Sequence, residues 1–502
     1  MTDIQNPKRK VGAGFYWLVQ LIASILFVLA LYSTKLLPNM WILYVISALS
    51  LLLVFTGLLS FKYYKNGFVK FINVLLSILL LTLSVLLPYF NIKVLNLFNS
   101  LTNSTTRINL YVMKEDYKQN HPDIFFDLSS SDNLQDYKYS TFITSMNADG
   151  DNQGYALGKL NEEIGNEYRT LDYESILASA EALYTGAGDV LVMSQKYESL
   201  VTDNEAFENF KNDTKIIASF ERRIENNIRK GDESLTKEPF AVFVGGNDEE
   251  GELQTEGRTD VNIVLVVNPN TSQMIQINLP RDSFIPNPAY GYANDKLTHL
   301  GVSGIENTLD GLGNYLGIEI NNYVLINFTT YRQVIDSLGG IEVDNPYAFG
   351  FWDNPDIWFE AGPLYLDGER ALLYVRERKT LPDGDFGRVM HQQLVMKAII
   401  NKLTSKAIIY RFNSLIDGLS GKFITNLSGN AIYGLAQRQL GSGSDWDTIS
   451  YGLKGDTGLD YCAIAPNQAL SVVYPYQYQV DFVKEEIQKL LRGETVTQQD
   501  LP

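Results

Sequence analysis

The sequence predicts an α/β protein in three parts: an N-terminal three-helix transmembrane anchor, an α/β accessory domain, and a C-terminal layered α/β/α domain with a central mixed sheet. Three observations predict it. Three almost uncharged apolar stretches, each near the ~20 residues a helix needs to cross a bilayer, stand at the start of the chain. Strand-like and helix-like patterns alternate after Pro239. Charge is sharply divided: residues 1–70 hold seven basic side chains and one acid, a net +6, whereas the rest holds 34 basic and 57 acidic residues, a net −23.

The anchor occupies residues 1–95, with spans at Phe15–Leu37, Trp41–Phe61 and Phe71–Phe90. Soluble core helices of this length show a polar stripe, whereas Leu49–Leu59 and Val74–Leu87 are apolar on every face apart from Ser, Thr and Gly. No small-residue cleavage site follows the first span, so a retained anchor is expected rather than a signal peptide. Lys8, Arg9 and Lys10 precede the first span, and Lys62, Lys65 and Lys70 lie between the second and third. The positive-inside bias therefore puts the N-terminus in the cytoplasm and, after three crossings, the large C-terminal part outside the cell membrane.

Composition removes several function classes. A single cysteine, Cys462, excludes an intramolecular disulfide framework and clustered-thiolate metal sites. His121, His299 and His391 are too scattered for an HExxH-type zinc site. The net charge of −17 speaks against nucleic acid as a partner, and the short cytoplasmic segments cannot fold a DNA-reading module.

The accessory domain is expected at residues 105–237, after a polar linker Asn99–Thr106. Arg107–Met113 reads as a strand, Tyr173–Tyr184 has helical spacing, Asp189–Met193 resembles a short strand, and Asn204–Lys230 reads as charged helix. No chemical motif stands out there.

The C-terminal domain is expected at residues 238–495. Ala241–Val244, Val261–Val267, Met274–Leu279 and Ile341–Val343 read as strands; the continuous β-branched run VNIVLVV fits a strand covered on both faces. Gly304–Leu316, Thr329–Leu338 and Phe386–Leu403 read as helices. Gly311, Gly313 and Gly317 imitate a dinucleotide fingerprint, but the third glycine is one position late and the run lies inside a helical pattern, so close helix packing is the better reading.

Arginine carries the chemical signal. Arg376 and Arg378 are two apart in LLYVRERK and share a face if that segment is extended, with Glu377 opposite. Arg388 and Gln392 stack four apart on a helix. Arg281 follows the Met274 strand, and Arg258 and Asp260 flank Thr259 just before the Val261 strand. If Arg281, Arg376, Arg378 and Arg388 converge within ~8 Å, each pair repels by about 2 kcal/mol at an effective dielectric of ~20, so a counter-anion is required. Guanidinium forks suit phosphate oxygens. Asp248, Asp260 and Asp282 fit two readings equally: plain salt bridges to the arginines, or a Mg²⁺ site that shares the substrate's phosphates.

These motifs resemble one family. GNDEEGELQTEGRTDVNIVLVVNPNT, INLPRDSFI, DKLTHLGVSGIENTLDGLGNYLGI, NFTTYRQVIDSLGGIEVDNP, FEAGPLYLDGERALLYVRER and DFGRVMHQQ occur in the order of the LytR–CpsA–Psr proteins of Gram-positive bacteria and cover nearly all of residues 240–405. The three-span anchor and acidic middle region also resemble streptococcal members that act in capsule biosynthesis. The resemblance implies an enzyme outside the membrane that transfers capsular polysaccharide from a polyprenyl-pyrophosphate carrier to peptidoglycan with the help of Mg²⁺, alongside capsule-assembly proteins as candidate partners. It implies pyrophosphate binding by Arg281, Arg376, Arg378, Arg388 and Gln392, catalytic roles for Asp248, Asp260 and Arg258, and Mg²⁺ ligation by Asp248 and Asp260. Two departures are visible: Thr259 stands where serine is commoner, and His391 where arginine often precedes the glutamine pair. The competing expectation is a non-catalytic membrane sensor of the lipid-linked precursor.

Overall fold

The computed structural model describes residues 7–34, 39–63, 66–100, 104–125, 127, 129–224, 231, 235–247, 255–405, 423–428, 431–432, 434–435, 438–439 and 446–502. It opens with three helices, α1 (Pro7–Thr34), α2 (Asn39–Lys62) and α3 (Gly67–Ser100), each containing a stretch long and apolar enough to cross a membrane. Leu51, Leu58 and Val85 are exposed on their outer faces, as befits helices covered by lipid. Inside, Trp17 donates its indole N–H to the Leu53 carbonyl at 2.8 Å, a contact that only a glycine at position 57 leaves room for, since a Cβ there would lie 3.0 Å from the Trp17 nitrogen. Asn73 of α3 donates to Ser60 Oγ of α2 at 2.7 Å, the interhelical hydrogen bond that small polar residues supply within a bilayer. The helix α3 runs ten residues past the third predicted span, so Asn99 and Ser100 are helical rather than linker.

The next unit is a five-stranded sheet of β1 (Ser104–Met113), β2 (Thr141–Thr144), β3 (Arg169–Asp172), β4 (Val190–Ser194) and β5 (Thr214–Ile224), in the order β3-β2-β4-β1-β5. Alternation along β1 sends Ile108, Leu110 and Val112 into one core and Tyr111 and Met113 into another, so both faces are covered. The helices Met146–Ile164 and Ile176–Tyr184 supply those covers. The predicted charged helix at Asn204–Lys230 is wrong. Only the short turns Glu205–Phe207 and Phe210–Asp213 are helical there, and Thr214–Ile224 is β5, paired along β1; residues 225–230 lie outside the described residues. Edge pairing with β1 overrides the helix-favouring charges in KIIASFERRI.

The C-terminal unit is a six-stranded mixed sheet. Its centre is the antiparallel set β6 (Phe240–Asn247), β7 (Val261–Asn268) and β8 (Gln273–Asn278), flanked in parallel by the strands Asn322–Asn327 and Asp447–Gly452. On β7, Val264 and Val266 face the helices Ile305–Leu316 and Gln477–Leu491, while Ile263 and Val267 face the helix Asp385–Thr404 through Ile400, which gives the expected three layers. Gly311 and Gly313 permit close packing as read: a Cβ on Gly311 would sit 2.3 Å from Leu300 Cδ2, and one on Gly313 2.8 Å from the Ile318 carbonyl. Gly317 closes the helix with φ of 71°.

The five-stranded unit and the C-terminal unit are not separate beads. A single core joins Tyr111, Leu200 and Phe210 of the accessory sheet region to Val302, Cys462 and Val472 of the C-terminal unit.

Candidate active site

The C-terminal ends of β6 and of the parallel strand Asn322–Asn327 open into a cleft lined by Gly245, Asn247, Arg258, Thr259, Ile305 and Ile326 among others. Gly245 is required there, since a Cβ would lie 2.7 Å from both Leu325 and Phe243. The loop Thr255–Asp260 forms one wall, pinned by Gly257 N–H to the Gly301 carbonyl (2.9 Å) and by Asp260 N–H to the Gly246 carbonyl (2.7 Å). Ile305, Leu325 and Ile326 make part of the lining apolar. Of the apolar residues on the helices Ile305–Leu316 and Asp385–Thr404, Ile305 lines this cleft, whereas Leu309, Leu312 and Leu316, and Val395, Ala398 and Ile399, are core.

Asp260 is the electrostatic centre of the site. Its Oδ1 accepts a 2.5 Å hydrogen bond from Arg281 Nη1. Burial alone would raise its proton affinity, but Arg281, Arg258 and Arg388 outweigh burial and hold the carboxyl below its ordinary range. A carboxylate so held is a weak base and a good anionic anchor. Arg281 in turn stays charged despite burial, because Asp260, Asp282 and Asp203 act on it. Asp282 lies 3.8 Å from Arg281 Nε and 3.3 Å from Lys296 Nζ. The salt-bridge reading of Asp260 and Asp282 is thus realised, and the compensation for the arginine charge is internal.

The predicted residues divide into three groups. Arg281 bonds Asp260 directly, and the charges of Arg258 and Arg388 also act on that carboxyl. Arg376 is exposed and stacks over the Phe328 ring at 4.7 Å, directly after the strand whose Ile326 lines the cleft, so it stands at the rim. Arg378 is exposed two residues further, and Gln392 is half-buried one turn beyond Arg388. Asp248 lies outside the described residues. The extended reading of LLYVRERK is corrected: Gly368–Arg376 is a helix capped by Asp367, and the chain becomes extended only at Glu377. The two arginines therefore leave a helix end rather than one face of a strand.

Sequence reasoning missed two residues. Glu377 has no exposed surface and accepts from the backbone N–H groups of Trp352, Arg378 and Thr380 at 2.8, 2.8 and 3.0 Å. Burial would raise its proton affinity, but those bonds prevail and hold it low. It ties the arginine-bearing loop to the hairpin Phe349–Phe359. Its position between two arginines resembled an ordinary salt-bridge face, which concealed this. Asp203, from the accessory unit, binds Arg258 Nη1 at 2.5 Å, and nothing local in the sequence signals it.

His391 belongs to neither site nor solvent. It stacks on Tyr374 at 4.0 Å and Phe349 at 4.9 Å, shares its Nδ1 with the Tyr374 carbonyl, and burial lowers its pKa to about 4. A neutral ring fills an aromatic pocket where the resemblance would place arginine.

For a divalent cation the described donors are few but suitable. Only Oδ1 of Asp260 accepts a side-chain hydrogen bond, which leaves one hard carboxylate oxygen, and Mg²⁺ needs only one or two carboxylates when phosphates complete its shell. The arginines would repel the ion in the absence of phosphate. The one group of metal-ligand types among the described residues, Asp295, His299 and Cys462, is a buried structural cluster. Asp295 bonds His299 Nδ1 at 2.6 Å, Lys296 N–H at 2.8 Å and Ile464 N–H at 3.1 Å, and burial first of all pushes the Cys462 thiol up to about 12.

Comparison with known proteins gives the family. The LytR_cpsA_psr family model matches residues 200–473, more than half of the chain. The polyisoprenyl-teichoic acid–peptidoglycan teichoic acid transferase TagU of Enterococcus faecalis is 37% identical over 195 residues, 38% of this chain and 63% of that protein, slightly under two thirds of its length. TagU of Bacillus subtilis is 33% identical over 217 residues, 42% of this chain and 68% of that protein. The crystal structure of B. subtilis TagV shows 28% identity, covering 52% of this chain and 99% of that one with a TM-score of 0.43. With the family match spanning most of the C-terminal unit and both site segments, the chain belongs to the LytR–CpsA–Psr family.

Proposed function

We propose that this chain transfers a glycopolymer from a polyprenyl-diphosphate carrier to peptidoglycan on the outer side of the membrane, the polymer being a capsular polysaccharide. Family membership and the names of the teichoic acid transferases above support the reaction class. The observation that carries the reading is the Arg281–Asp260 pair, on whose carboxyl the charges of Arg258 and Arg388 also act, beside a partly apolar cleft that Arg258 lines, a combination that suits a diphosphate joined to a lipid.

In this reading Arg281, Arg376, Arg378 and Arg388 grip the diphosphate and Gln392 assists. An acceptor sugar hydroxyl attacks the sugar-proximal phosphorus, the bond from that phosphorus to the bridging oxygen breaks, and polyprenyl phosphate leaves. Charge grows on the leaving phosphate, and guanidinium groups fixed beforehand stabilise it more in the transition state than in the ground state. Mg²⁺, held by Asp260 with Asp248, would supply further neutralisation of that charge. The weak basicity of Asp260 supports Asp248 as the group that takes the hydroxyl proton. The lysine-rich segment between the second and third spans supports an outward-facing C-terminal part.

The test is made in cells. Arg281→Ala or Arg376→Ala, at matched protein levels, should lower wall-attached capsule while polymer released to the medium rises. Wild-type attachment in both variants would overturn the transferase reading and leave the precursor-sensing one.

A further inference from the structure

The site is not completed by the C-terminal unit alone. Within the C-terminal unit the loop Thr255–Asp260 is fastened by backbone bonds to its own sheet and to Gly301, by Thr259 Oγ1 to Asn262 at 2.7 Å and by the Arg281–Asp260 pair. Two of its charged side chains, Glu256 and Arg258, are held from the accessory unit. Arg258, 6% exposed, donates from Nη1 to Asp203 Oδ2 at 2.5 Å and to the Ser199 carbonyl at 3.1 Å. Within the C-terminal unit its hydrogen-bond partner is Thr298 Oγ1, at a marginal 3.5 Å. Two residues earlier, Glu256 accepts from Lys196 Nζ at 2.7 Å and from Thr106 Oγ1 at 3.3 Å, both from the accessory sheet region.

These anchors are themselves built in. Lys196 is 7% exposed and lies 3.7 Å from Asp149, a buried carboxylate at the kinked start of the helix Met146–Ile164 that also accepts from Ser194 and Asn152. Asp203 follows the short helix Glu198–Thr202, whose Leu200 and Val201 lie in the core shared with Val302. After Asp260 and Asp282, Asp203 is a further anion that keeps Arg281 charged against burial. One accessory carboxylate therefore acts on two arginines of the site. A buried lysine and a buried arginine cost free energy unless each is paired, so this arrangement persists only because both units contribute partners.

We propose that the accessory unit is a clamp on the Thr255–Asp260 loop, with Asp203 and Lys196 as positioning residues that hold Arg258 and the loop at the cleft. The inference rests on the transferase reading for its kinetic consequence, but the clamp has a structural readout of its own.

The test uses the full chain in nanodiscs with a lipid-diphosphate-linked glycan and peptidoglycan. Asp203→Ala should lower kcat about tenfold or more with KM little changed, since misplacing a reacting group by ~1 Å costs on the order of 100-fold. Asp203→Glu should restore part of the rate. The double variant Asp203→Ala/Arg258→Ala should be no slower than Arg258→Ala alone, because Asp203 acts through Arg258. Arg107→Ala, which breaks only the exposed pair with Glu221 in the same unit, serves as the control with wild-type rate. Additive losses in the double variant, or a wild-type rate in Asp203→Ala, would overturn the clamp. If the wild-type protein shows no transfer at all, the transferase reading has failed, and amide hydrogen exchange still decides the clamp. Exchange at Gly257 and Asp260 should then accelerate in Asp203→Ala and in Lys196→Met but not in Arg107→Ala, and unchanged protection in both would refute it.

Discussion

Removal of the carboxylate at the centre of the site gives the sharpest prediction. In the unliganded protein Arg281 is occupied by Asp260, so an entering diphosphate has to exchange that bond for its own. Asp260→Asn keeps the shape and removes the competitor. Opposite charges ~4 Å apart attract by about 4 kcal/mol at an effective dielectric of ~20, but a charge-assisted hydrogen bond contributes only about 1.5–3 kcal/mol net, and the smaller figure governs. Asp260→Asn should therefore bind inorganic pyrophosphate in Mg²⁺-free buffer about tenfold to 100-fold more tightly than wild type, as measured by titration calorimetry. The same variant should lose the Mg²⁺ stimulation of transfer. Equal or weaker pyrophosphate binding by Asp260→Asn would refute the claim that this carboxylate balances the arginines in the empty site.

Further outcomes follow from two buried groups, Glu377 and His391. Glu377→Gln replaces a carboxylate that accepts from three backbone N–H groups with an amide bearing one acceptor oxygen, so the loop carrying Arg376 and Arg378 should loosen and transfer should fall in steady-state assays. Glu377 titrates low in the fold, so its stabilisation is full above the ordinary carboxylate value and is lost as pH falls through the folded-state value; acid unfolding of Glu377→Gln should be correspondingly less steep. His391 also titrates low, near 4, which makes the folded protein stable above pH ~6.5 and progressively less so between there and 4, a loss of about 3 kcal/mol. His391→Phe should remove that slope from denaturation curves recorded across the interval, and a slope equal to wild type would contradict the neutral-ring assignment.

Much of this architecture was legible because the signals are regional. Apolar length marks the three membrane helices, and the uninterrupted run in β7 marks a strand covered on both sides, as Val264 and Ile263 show by facing different cores. Arg281 and Arg388 stood out from residue chemistry and from their places after a strand and on a helix, and the charges of both act on Asp260. Failures occurred where tertiary partners decide the outcome. KIIASFERRI carries charges that favour a helix, yet it completes the pairing of β1. LLYVRERK ends a helix because Asp367 caps its start and Leu372 and Val375 need a core, information that spacing in pairs cannot supply. Asp203 and Glu377 were hidden for the same reason, since a carboxylate that holds a loop resembles any solvated acid until the fold shows what it touches.

The most direct measurement of the central claim is electron density for a polyprenyl diphosphate bound to this protein. The account predicts both phosphates within hydrogen-bonding reach of Arg281 and Arg388, Arg376 closing from the rim, and the prenyl chain lying along Ile305 and Ile326. A ligand seated elsewhere, with Arg281 still engaged only by Asp260 and Asp282, would contradict it.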